Sequence, residues 1–99
     1  MKTVWKFQMP LREGVERTFG IPGKLKPLMV KEGTDGEGQA LVNLWCEVDT
    51  DSEQHSRTFE IIGTGQEIPA DSAYCGTAFF GPIVFHIYEH GVDLGDPIF

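Results

Sequence analysis

Apolar side chains recur at every second position along most of this chain, a period that belongs to a strand with one face buried and not to a helix. The clearest run is Ala40 to Asp49, where Ala40, Val42, Leu44, Cys46 and Val48 alternate with Leu41, Asn43, Trp45, Glu47 and Asp49. Earlier, Trp5, Phe7 and Met9 share one face of a strand that Pro10 ends. Val15, Arg17, Phe19 and Ile21 mark a second, stopped by Pro22-Gly23, and a third covers about Leu25 to Lys31. Thr34 to Gly38 is a polar loop. After Asp49 the pattern predicts a long hairpin with its tip at Asp51 to His55 and a return strand from about Arg57 to Ile62. Gly63-Thr64-Gly65 then turns the chain. Ala73 to Phe80 and Ile83 to Glu89, rich in aromatic and β-branched residues, flank Gly81-Pro82 as a final hairpin.

These elements predict an all-β domain of six to seven antiparallel strands. A single open sheet would leave one apolar face wet, so the expected closure is a small barrel or a two-sheet sandwich. Ninety-nine residues suffice for one domain with a real core, placed at residues 1–90, and residues 91–99 read as a C-terminal tail.

Charge changes the picture most. Residues 1–31 carry seven Lys or Arg against two acids, whereas the rest of the chain carries Arg57 alone against thirteen, for a net charge of −7. Long-range repulsion makes nucleic acid and anionic membrane poor partners and a basic protein surface a better one. Residues 1–14 lack the apolar stretch of a secretory signal, and Ala78 to Phe85 is broken by Gly81-Pro82, so the expectation is a soluble cytoplasmic protein. Cys46 and Cys75 match no metal or redox spacing and read as reduced thiols, with a disulfide between neighbouring strands left open.

Candidate chemistry is sparse. His86-Ile87-Tyr88-Glu89-His90 spells a zinc signature that needs a helix; on a strand its two histidines stand about 13 Å apart, too far to share one ion. Asp49 to Glu60 has the length and several acids of a calcium loop, but Gln54 stands where a sharp turn demands Gly. Gly63-x-Gly65 lacks the third glycine and helix start of a phosphate cradle. Cys46 with His86 or His55 is the one nucleophile pair to weigh, and Cys46 lies on the apolar parity of its strand. No enzyme, metal or cofactor is therefore expected. More informative is the parity that Glu47, Asp49, Asp51 and Glu53 share with Trp45. An aromatic at the root of an acidic stripe suits a basic partner, and with Glu60 these form the candidate partner-binding set.

Val4-Trp5-Lys6-Phe7, Leu44-Trp45-Cys46-Glu47-Val48-Asp49, Phe59 to Pro69, Tyr74-Cys75-Gly76-Thr77 and Val84 to Glu89 occur in that order. The ordered set resembles a family of short, uncharacterised bacteriophage and prophage proteins that share a W-K-[YF] start, an L-W-x-x-V-D strand, a G-T-G-x-x-I-P turn, a Y-x-G-T step and a V-[WF]-H-V-F-E strand. The chain departs from it at Gln8-Met9, around Thr34 to Gln39 and past Glu89. The resemblance implies a phage origin and the host bacterial cytoplasm, and it makes the histidine of the last strand a structural feature. By analogy with small acidic phage proteins, the expected function is a non-enzymatic accessory protein that binds a basic host protein, an inhibitor of antiviral defence of the anti-CRISPR type. One alternative is sequestration of a small phosphorylated or nucleotide ligand by Lys6, Arg12, Arg17, Lys24 and Lys26. Another is a minor virion or assembly component that forms a homo-oligomer through strand edges. Convergence or scatter of those five basic residues discriminates the first two readings.

Overall fold

The computed structural model describes residues 1–91, so the expected tail, apart from Gly91, lies outside the described residues. Seven strands form: β1 (Lys2–Pro10), β2 (Glu16–Pro22), β3 (Pro27–Thr34), β4 (Ala40–Asp49), β5 (Gln54–Gly63), β6 (Ala73–Phe80) and β7 (Ile83–Glu89). They make two antiparallel sheets, ordered β1-β4-β3 and β2-β5-β7-β6, which face each other as a sandwich and do not close into a barrel. The period-two reading holds for the core faces: Val42, Leu44, Cys46 and Val48 of β4 face Phe59 and Ile61 of β5 and Phe85 and Ile87 of β7, with Met9, Leu11, Ile21 and Ala78 completing the core. The third strand, expected at about Leu25 to Lys31, runs Pro27–Thr34, β5 already begins at Gln54, and Arg17 is exposed. Burying a side chain of this kind contributes about 1.5–3 kcal/mol, and this core is what joins the sheets.

One expectation is overturned. β4 and β5 are not a hairpin, because β4 pairs with β1 and β3 while β5 pairs with β2 and β7. Residues 50–53 arch from one sheet to the other, tied by the backbone N–H of Gly23 on the Glu53 carbonyl (3.1 Å) and that of Thr50 on the Met1 carbonyl (2.9 Å). Laid side by side, two amphipathic strands would still need a covering layer; folded over, each covers the other.

The final hairpin forms as expected. Gly81 has φ of 58°, and Pro82 fixes a negative φ behind it, which is the pattern of a two-residue type II′ turn. At the β3/β6 flank the sheets approach so closely that a Cβ on Gly76 would stand 2.7 Å from the Cβ of Val30. β3 and β6 are both edge strands, and each carries a bulge, between Pro27 and Met29 and between Tyr74 and Gly76. Such irregularity blunts an edge against further pairing.

The shorter connections sit at one or other of two ends of the sandwich, whereas residues 64–72 run back along the sheet from Gly63 to Ala73, which is level with Phe59. Met1, residues 23–26 and the 50–53 arch lie at one, as the contacts among Met1, Gly23, Thr50 and Glu53 show. Residues 11–15, 35–39, the turn after Gly63 and the Gly81-Pro82 turn lie at the other, where Leu11 bonds the Ala40 carbonyl and Gly14 that of Ile61.

Candidate functional site

Folding undoes the linear charge split. Basic β1 lies antiparallel on acidic β4, with Lys2 opposite Asp49, Val4 opposite Glu47 and Lys6 opposite Trp45. The three-stranded sheet carries Lys2, Lys6 and Lys31 against Glu32, Glu47 and Asp49, and the other sheet Arg17 and Arg57 against Glu16, Glu60 and Glu89. Nearly all of the net −7 thus resides outside the strands.

The predicted stripe is divided accordingly. Trp45, Glu47 and Asp49 do point outward from β4, half-buried, with Met29 and Lys6 on either side of Trp45. The strand ends at Asp49, so Asp51 and Glu53 sit on the exposed arch instead of continuing the row. There the N-terminal ammonium contacts both Asp49 and Asp51. The backbone N–H of Asp51 donates to Asp49 Oδ1 at 3.1 Å and, aided by that ammonium, holds the Asp49 carboxyl below its ordinary range. Lys24 and Lys26 belong to the same end. Glu60 is elsewhere, on the outer face of the four-stranded sheet.

The opposite end is where acid is left uncompensated. Glu13, Asp35 and Glu37 lie on its connections, and Arg12 is the one Lys or Arg among residues 11–15, 35–39, 64–66 and 81–82. Exposed apolar side chains accompany them: Phe79, Phe80 and Ile83 are each about half exposed, and Phe79 is close enough for its N–H to donate to Glu32 at 3.4 Å. A groove of about 450 Å³ runs between Glu13, Thr64 and the stretch Pro82 to Phe85, with Gly63 at its base. A Cβ on Gly63 would stand 2.7 Å from the Glu13 carboxylate, so the absence of a side chain lets that acid lie against the sheet. Sequence reasoning missed this end because its residues come from four separate connections, none of which is a motif.

The five basic residues of the ligand alternative do not meet. Lys6 is on the outer face of β1, Arg12 at the acidic end, and Lys24 and Lys26 at the arch end. Arg17 is on edge strand β2, its Nη1 donating to the Glu16 carbonyl at 2.8 Å.

The four-stranded sheet presents a polar outer face. His86 is held between Thr64 Oγ1 (3.2 Å from Nε2) and Thr77 Oγ1 (3.3 Å from Nδ1), and Thr77 also bonds the Tyr74 hydroxyl. Tyr74 and Tyr88 pack edge to face at 5.6 Å. Two positions on, Glu16 and Glu60 are direct cross-strand partners, and His90 reaches both. Between the sheets, Arg57 and Glu89 form a buried bidentate pair, with Nε and Nη2 donating at 2.6 and 2.7 Å. Burial pushes the Cys46 thiol up to about 11 and, with the Glu89 carboxylate near, the Cys75 thiol to about 12; both are free. A nucleophile needs its thiolate, so neither position suits the Cys–His pairing weighed from sequence.

These features define an all-β sandwich with a neutral small sheet, one acidic end and a polar outer face on the larger sheet. A family model described as a domain of unknown function, DUF7352, matches residues 1–94, and the chain belongs to that family. No curated protein and no solved structure matches the chain.

Proposed function

We propose that this protein is a non-enzymatic binding protein that engages a basic surface of another protein through its acidic end. The observation that carries the reading is the gathering of Glu13, Asp35 and Glu37 beside exposed Phe80 and Ile83, with Arg12 as the lone Lys or Arg of those connections. Carboxylates around an apolar centre select Arg- and Lys-rich partners and quicken encounter, while the apolar side chains hold the complex afterwards. The arch surface of Trp45, Glu47, Asp49, Asp51 and Glu53 ranks second, because Lys2, Lys6 and the N-terminal ammonium already answer its acids. The resemblance to phage and prophage proteins supports a partner in an infected bacterium, and an inhibitor of host defence of the anti-CRISPR type is the specific form of this reading. Sequestration of a phosphorylated ligand is disfavoured by the scatter of the basic residues, and the bulges in β3 and β6 blunt two of the four sheet edges against edge-to-edge assembly.

The test is capture of partners from infected host cells by the tagged protein, repeated with two charge-reversed variants. Asp35→Lys/Glu37→Lys should lose the captured basic protein, and Asp49→Lys/Asp51→Lys/Glu53→Lys should keep it. The reverse pattern would move the contact to the arch, and capture unaffected by either would end the electrostatic reading.

A further inference from the structure

We propose that Glu16, Glu60 and His90 form a divalent-metal site on the outer face of the four-stranded sheet, selective for zinc-class ions over calcium and magnesium. The site is independent of the acidic end described above. Three elements supply it. Glu16 of β2 and Glu60 of β5 are direct cross-strand partners whose side chains rise on the same face, and His90 follows β7. One donor atom from each lies within 4.8 Å of the other two. His90 Nε2 is 2.6 Å from Glu60 Oε1, and Nδ1 is 3.5 Å from Glu16 Oε1. The placement is firm: the backbone N–H of His90 donates to the Thr58 carbonyl at 2.8 Å, and beside the two glutamates the Ile61 N–H donates to the Val15 carbonyl while the Ile61 carbonyl accepts from the Gly14 N–H, both at 2.9 Å.

Two carboxylates directly opposite in a ladder repel each other, so their juxtaposition calls for a cation between them. Among the described residues, no Lys or Arg pairs with either carboxylate; Arg17 spends Nη1 on the Glu16 backbone carbonyl instead. Imidazole is what remains, and one imidazole cannot fully answer two carboxylates when neutral, since it has a single N–H to donate. A metal ion satisfies all three groups at once. Bonds of about 2.0–2.2 Å would bring the donors about 3.5 Å apart. That contraction asks mainly for rotation of Glu16, the most exposed of the three. A nitrogen with two carboxylate oxygens suits zinc, cobalt or nickel, whereas calcium and magnesium prefer an all-oxygen shell. Three protein donors also leave a coordination position for water or for a side chain brought by another molecule. His86, the other histidine of the sequence signature, points to Thr64 and Thr77 and takes no part.

Calorimetric titration of the full chain with zinc chloride, and with calcium and magnesium chloride as controls, tests the site. One zinc per chain is expected, with no heat from calcium or magnesium. His90→Ala should abolish binding, and Glu60→Gln and the solvent-facing Glu16→Gln should each weaken it by at least about tenfold, the scale seen when support to a metal ligand is removed. His86→Ala and Cys75→Ala should leave it unchanged. Histidine ring NMR on the unmutated protein gives a readout that needs no variant: zinc should move the His90 resonances and leave those of His55 in place. Absence of stoichiometric binding, binding that survives His90→Ala, or shifts centred on His55 would overturn the site.

Discussion

At the scale of single residues, the interior holds one costly arrangement. Arg57 and Glu89 are both below a tenth exposed, the guanidinium lies 5.7 Å from the Phe59 ring centre, and Nη1 has no hydrogen-bond partner. Desolvating two ions consumes much of what their attraction returns, so the pair adds little net stability, yet breaking it strands a buried charge. Glu89→Gln should therefore cost about 3–5 kcal/mol in urea unfolding, whereas Arg57→Met/Glu89→Leu should come back close to the unmutated protein. A Glu89→Gln cost under about 1 kcal/mol would mean that water reaches the pair. The thiols give a second residue-scale outcome. Their folded pKa values, about 11 for Cys46 and about 12 for Cys75, lie above the ordinary thiol value, so above about pH 9 the unfolded chain holds fewer protons than the folded one. Stability is then full below pH 9 and falls as pH rises towards 11–12, by up to about 1.4 kcal/mol per pH unit for each thiol. Cys46→Ala/Cys75→Ala should flatten that slope relative to the unmutated chain, whatever its absolute stability.

Among the elements, the joint between the sheets is most exacting at the β3/β6 flank. An added methyl at Gly76 meets the Cβ and Cγ2 of Val30 at 2.7 and 2.8 Å, and a β-branched side chain has little rotamer freedom with which to retreat. Gly76→Ala should destabilise by about 1–3 kcal/mol, and Val30→Ala in the same chain should recover part of it. Simple additivity of the two changes in a denaturation cycle would show that the sheets are free to part there. Strand positions and the inward face of each strand were legible in the sequence, because alternation is a local property that each strand carries by itself. Partner choice was not. The stretch Ala40 to Ile62 reads equally as a hairpin or as an arch, since both bury Val42, Leu44, Phe59 and Ile61. The arch is decided by β1 and β3, which flank β4 on both sides and come from distant parts of the chain.

Over the whole molecule, the same non-locality rearranged the charge. A basic first third and an acidic remainder were plain in the sequence, but the pairing of β1 on β4 interleaves them, and the arch acids meet the N-terminal ammonium. What remains uncompensated depends on which loops share an end, and that follows from topology. The binding reading then makes a kinetic prediction that separates the two ends. With a purified basic partner, charge reversal of Asp35 and Glu37 should lower the association rate and flatten its dependence on salt, because those carboxylates act over about a Debye length, roughly 8–10 Å, before contact. Truncating the apolar neighbours, Phe80→Ala or Ile83→Ala, should leave association nearly unchanged and raise the dissociation rate, since such side chains act only once water has been expelled. The arch variant should alter neither rate by much. Stopped-flow mixing at low and high salt measures both. Equal slowing by the arch variant would assign the steering to Asp49, Asp51 and Glu53 with Trp45 as the anchor, and an association rate indifferent to salt in the unmutated protein would end the electrostatic reading.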